Sequence, residues 1–113
     1  MIPIPARLRA DMAKDPYYKR CARQDLFHDH VCQERPLDGQ LIEWEHAFVV
    51  AGKRLQERWA IVPLCWGTHS GPELDKEKNE YLALCRATLP DLMKYPRVAW
   101  WQRFVYLHGK FGN

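Results

Sequence analysis

Leu41-Ile42-Glu43-Trp44-Glu45-His46 and, further along the chain, Pro63-Leu64-Cys65-Trp66-Gly67-Thr68-His69 decide how this sequence is read. Gln40 to His46 alternates apolar and polar residues and is rich in β-prone types, which predicts a strand. Trp59-Ala60-Ile61-Val62-Pro63-Leu64 is a continuous apolar run and predicts a second, more buried strand; Pro63 must sit where no ladder hydrogen bond is needed. The first strand ends in an adjacent carboxylate and imidazole, and the second runs into a Cys/His turn.

The remaining elements follow outward from this pair. Ser70-Gly71-Pro72-Glu73 opens a helix, with Ser70 as cap and Pro72 in the first turn. Its buried side would hold Leu74, Tyr81, Leu82, Leu84 and Cys85, up to about Leu89-Pro90. Ala47 to Arg58 is a polar, basic connection. Upstream, Ala6 to Lys14 reads as a short helix with Leu8 and Met12 on one face, ended by Asp15-Pro16. Leu26 to Cys32 is irregular, and Pro36-Leu37-Asp38-Gly39 is a turn. A last helix, about 96–108, carries Trp100, Trp101, Phe104, Val105 and Leu107.

Its 113 residues fit one small domain, residues 1–113. No stretch is apolar enough to span a bilayer, and Met1-Ile2-Pro3-Ile4-Pro5 lacks the pattern of a signal peptide, so a soluble, cytoplasmic protein is expected. Net charge is +3, unevenly spread. Residues 1–23 carry six Lys/Arg against two Asp, residues 94–113 four against none, and residues 24–93 seven against twelve acids. Basic ends around an acidic centre suit a metal-binding centre held to a polyanion by its edges, and equally an ordinary solvated surface. Cys21, Cys32, Cys65 and Cys85 could form two disulfides; in a reducing compartment, cysteines interleaved with histidines more often bind metal.

The order strand, loop, strand, helix, with Trp44-Glu45-His46 and Ile61-Val62-Pro63-Leu64-Cys65 at the strand ends, resembles the HNH endonuclease family. The resemblance covers about residues 17–90 and is nearest to the small free-standing HNH proteins of bacteriophages. It implies an α+β fold with a small ββα-metal core and flanking N- and C-terminal helices. It further implies His46 as general base, Glu45 and His69 as ligands of a catalytic divalent ion (Mg²⁺, Mn²⁺ or Zn²⁺) with Asn79 as a third ligand or a partner behind the ligands, and products ending in a 5′-phosphate and a 3′-hydroxyl. Imidazole suits the base, since it exchanges protons near neutral pH. Lys53, Arg54, Arg58 and Arg86 are the nearest candidates to hold the DNA backbone.

Two positions depart from the family pattern. The family places an Asn near the start of the second strand, where this chain has Trp59-Ala60. Its Cys-x-x-Cys-His turn becomes Cys65-Trp66-Gly67-Thr68-His69, with Thr68 in place of the second Cys. A structural zinc shared by two knuckles is also implied, with Cys21, Cys32 and Cys65 as ligands and His30, or else His28, as the fourth. Cys85 is expected in the core. The aromatic tail reads as a packing helix in preference to a base-stacking surface, and His108 as exposed.

The expected function is metal-dependent cleavage of DNA. The rivals are a non-catalytic zinc module that binds nucleic acid, and a phage protein that modulates a host enzyme through its aromatic C-terminal helix.

Overall fold

The computed structural model describes residues 4–112; Met1 to Pro3, the start of the segment read as lacking a signal peptide, lie outside them. In chain order the elements are α1 (Ala6–Ala13), α2 (Arg23–Leu26), β1 (Ile42–His46), β2 (Val49–Val50), β3 (Lys53–Arg54), β4 (Ile61–Cys65), α3 (Trp66–His69), α4 (Lys76–Arg86), α5 (Leu89–Met93) and α6 (Trp100–Phe111). The result is a mixed α+β domain. No helix among the described residues is long and apolar enough to cross a membrane.

The centre is an antiparallel hairpin, β1 against β4, in a register that places Glu43 opposite Leu64, Glu45 opposite Val62 and His46 opposite Ile61. All five residues of β4 are buried, which is why its sequence is continuously apolar. Pro63 fits because its carbonyl points away from β1, accepting the Ala22 N–H at 2.8 Å. N–H and C=O of one strand residue point to the same edge, so the missing proline N–H breaks no β1 ladder bond. The chain before α2 thus lies along the free edge of β4, which brings Cys21 to the hairpin.

The segment Ala47 to Arg58 is more structured than its composition suggests. It holds the β2–β3 ribbon, with Val49 opposite Arg54 and Val50 opposite Lys53. Ala51 (φ 52°) and Gly52 (φ 78°) form its two-residue turn, both in the left-handed region. An alanine there costs on the order of 1 kcal/mol. Ala51→Asn, which gives the favoured Asn-Gly turn, should therefore raise unfolding stability by about 0.5–1 kcal/mol in urea titration, with an unchanged m-value.

The helix after the hairpin starts later than Ser70. Ser70 to Glu73 form a turn, and Asp75 caps α4 by accepting the Glu77 and Lys78 N–H groups at 3.1 and 3.2 Å. Gly71 is needed in that turn, since a Cβ there would lie 2.8 Å from the Trp66 ring. α4 stops at Arg86, and a separate short α5 follows, opened by a Thr88–Asp91 capping box.

Two clusters form the interior. The larger joins Phe48, Trp59, Leu64, Leu82, Trp100 and Leu107, and ties α6 to α4 and the hairpin. The smaller, Ile4, Met12, Tyr18 and Ile61, fastens α1 to the back of β4, with Trp44 packed against it. Trp100 is buried while Trp101 is exposed, so α6 packs by one face. Cys85 corrects the expectation of a core residue: it is exposed, on a groove between α4, α5 and α6. Leu74 and Leu89 are exposed as well.

Candidate metal centre and candidate active site

Cys21, just before α2, meets His30 and Cys32, just after it, and Cys65, at the end of β4. Their ligand atoms all lie within 4.8 Å of one another. This Cys3His group could hold a metal ion such as zinc. The three sulfurs of Cys21, Cys32 and Cys65 are each 3.5 Å from Nε2 of His30. One ring nitrogen has a single hydrogen or a single lone pair, so three equal contacts cannot be three hydrogen bonds. They match a tetrahedral ion instead: bonds of about 2.3 Å to sulfur and 2.0 Å to nitrogen separate the two donors by roughly 3.5 Å. His28 is exposed and lies outside the group.

The surroundings act on the three thiols in different directions. Burial, together with the neighbouring Cys21 and Cys65 sulfurs, pushes the Cys32 thiol up to about 12; burial also raises Cys21. For Cys65 burial acts upward, but the backbone N–H of Gln33 and the backbone and hydroxyl of Thr68 prevail and bring it below the ordinary thiol value. Thr68 stands where a second knuckle cysteine would be. It is buried, with Oγ1 3.5 Å from the Cys65 sulfur, and donates to the Cys65 carbonyl at 3.1 Å. It borders the group, and His30 takes the fourth place.

Glu73 was not among the residues singled out by sequence. Its Oε2 lies 3.1 Å from Nδ1 of His30, whose side chain is only 3% exposed. The pair stands at ion-pair distance without hydrogen-bond alignment, and the carboxylate charge beside Nδ1 favours a hydrogen there, which leaves Nε2 to face the sulfurs. Glu73→Ala should weaken zinc binding by roughly 10- to 100-fold in competition with a chromogenic chelator, with helical content unchanged in the loaded form.

The second group lies at the end of the hairpin. Glu45, His46, His69 and Asn79 line one cavity of about 450 Å³. His46 Nε2 is 2.8 Å from Oε1 of Gln56, in the connection after the ribbon. A carbonyl oxygen only accepts, so Nε2 carries the hydrogen and Nδ1 the lone pair. His69 Nδ1 is 3.0 Å from Oε1 of Glu43, which leaves Nε2 as the ring nitrogen not engaged by that contact. Glu43 also meets Arg35 at 3.4 Å. His30 and His69 thus each have a carboxylate beside Nδ1, hydrogen-bonded in the case of His69. The period of two along β1, which sets Glu43 on the side of Glu45, could have revealed the Glu43 contact.

Asn79 is buried and does not present an oxygen to the cavity. Arg23 Nε donates to its Oδ1 at 3.2 Å, and its Nδ2 donates to Glu45 Oε2 at 2.8 Å. A guanidinium can only donate, so these roles are fixed. Asn79 therefore positions Glu45 instead of ligating. Arg23, itself buried, also donates to the Asp75 carbonyl at 3.1 Å. Burial raises the proton affinity of Glu45, opposed by His69 and by Asn79. Among the described residues, the cysteine centre is the one group of three or more His, Cys, Asp and Glu donors placed to share an ion.

Of the four basic residues expected near the site, Arg54 lines the cavity. Lys53, on the ribbon, does not. Arg58 pairs with Asp15 at 2.7 Å, and Arg86 lies 3.5 Å over the Tyr17 ring and 3.8 Å from Asp15, so both serve the packing of the N-terminal segment. Comparison with protein-family models, curated proteins and solved structures finds no match to this chain.

Proposed function

We propose that this chain is a metal-dependent endonuclease of the HNH type that hydrolyses DNA phosphodiester bonds, built on a structural zinc at Cys21, His30, Cys32 and Cys65. The observation that carries the reading is the shared cavity: a strand-end carboxylate and two imidazoles converge where the hairpin meets α4. His46 is the general base. Gln56 holds its ring through Nε2 and leaves Nδ1 to take the proton of the attacking water. The amide of Gln56 thus supplies the support that the family's strand asparagine would give, which Trp59 and Ala60 cannot.

Glu45 and His69 Nε2 are the donors for a catalytic divalent ion. A carboxylate and an imidazole would hold such an ion and leave room on it for water and phosphate. Such an ion, when bound, supplies charge stabilisation for the phosphate and the leaving oxygen. Asn79 and Arg23 keep Glu45 in place.

Conversion of supercoiled plasmid to nicked or linear DNA in Mg²⁺ or Mn²⁺ tests the proposal, with the zinc content of each variant measured alongside. Salt-dependent DNA binding without cleavage, unchanged in His46→Ala, would replace it with the reading as a zinc-containing nucleic-acid-binding module. Absence of DNA binding at low salt would leave a protein-interaction role for α6.

A further inference from the structure

We infer that Arg9, Arg54 and Lys76 form the phosphate-binding rim of the cavity, so that α1 belongs to the DNA-binding surface; this rests on the nuclease reading and names how its substrate is held. The three cations come from three separate elements, α1, β3 and the first turn of α4, and all line the cavity that holds Glu45, His46 and His69. All three are exposed. Among the described residues none of them takes part in an ion pair. Arg58 and Arg86, by contrast, already face Asp15.

α1 is not a loose appendage. Met12 is fully buried against Tyr18 and Ile61, and this anchor fixes the helix beside the hairpin. The Arg9 guanidinium then sits 5.6 Å from the centre of the Trp44 ring, on the strand that supplies Glu45 and His46. A planar cation resting on an indole keeps its N–H groups available to an anion.

The spread of the charges selects the ligand. A small phosphate ester is best held by donors converging on one point. Cations distributed around an open cavity fit successive phosphates of a chain crossing it, from α1 past the base to the ribbon.

The test uses the full chain, zinc-loaded, in a His46→Ala background so that binding is read without turnover. The probe is a short fluorescein-labelled DNA duplex, followed by anisotropy across a salt series. Arg9→Gln, Arg54→Gln and Lys76→Gln should each weaken binding roughly five- to tenfold near 0.1 M salt. Each should also reduce the slope of log affinity against log salt by about one. Arg58→Gln and Arg86→Gln should bind as the parent does.

Unchanged binding in the first three variants, or losses confined to Arg58 and Arg86, would overturn the inference, and so would a parent that binds no DNA at low salt. If the unmodified chain cleaves DNA while the rim variants bind normally, only this inference fails. If the rim dependence holds but no divalent ion elicits cleavage, the inference stands and the nuclease reading fails.

Discussion

His46→Ala is expected to lower the single-turnover rate of DNA cleavage by roughly 10²- to 10⁴-fold, the range that a positioned general base contributes. His46 ends β1 on the rim of the cavity and lies outside both apolar clusters, so its loss leaves the core intact. The expected signature is a fall in kcat with DNA affinity, zinc content and melting temperature kept. Gln56→Ala should fall less steeply, because it frees the ring without removing it. A His46→Ala protein that cleaves at the parental rate would remove residue 46 from the chemistry.

Removal of the proposed zinc should have the largest effect on stability. Between α2 and β1 the chain, residues 27–41, has no regular element. Few backbone bonds hold that stretch, and a short chain buries little surface to compensate. Structural zinc in small modules supplies on the order of 10–16 kcal/mol of apparent binding free energy, against total domain stabilities of roughly 5–15 kcal/mol.

Chelation should therefore abolish cooperative thermal unfolding near room temperature, read by near-ultraviolet dichroism of the tryptophans. Cys65→Ser should do much the same, because this sulfur is fully buried at the end of β4. Cys85→Ser, at an exposed position, should stay within about 0.5 kcal/mol of the parent. A chelated protein with the melting temperature of the loaded form would refute a structural role for the zinc. The two sites are also linked. Cys21 precedes Arg23 by two residues, Arg23 holds Asn79, and Asn79 holds Glu45. Loss of the ion should thus disturb the cavity as well.

The hairpin was legible because its two strands carry opposite signatures. β1 alternates in sequence and is half-buried along its whole length, while β4 is apolar throughout and fully buried. The members of the Cys3His group were legible by residue type, since cysteines interleaved with histidines often bind metal. The carboxylates beside the histidines were not. Glu43 and Glu73 are two of many acids in the central segment, and no local spacing marks Glu73 as the neighbour of His30.

The β2–β3 ribbon was hidden because only Gly52 announces the turn, while Ala51 occupies a conformation its side chain disfavours. The start of α4 was misplaced because Ser70 and Pro72 form a plausible cap signal. Asp75 is the better one once Gly71 must pass close to Trp66. Arg9 was overlooked because its role depends on α1 folding back beside β1, a long-range contact that no local pattern encodes.

The proposed zinc would pin the segment around α2 to the end of β4. X-ray absorption at the zinc edge of the purified protein measures this directly. One zinc per chain with three sulfur neighbours at about 2.3 Å and one nitrogen at about 2.0 Å is the predicted result. Protein that folds without zinc, or zinc surrounded chiefly by oxygen, would contradict it.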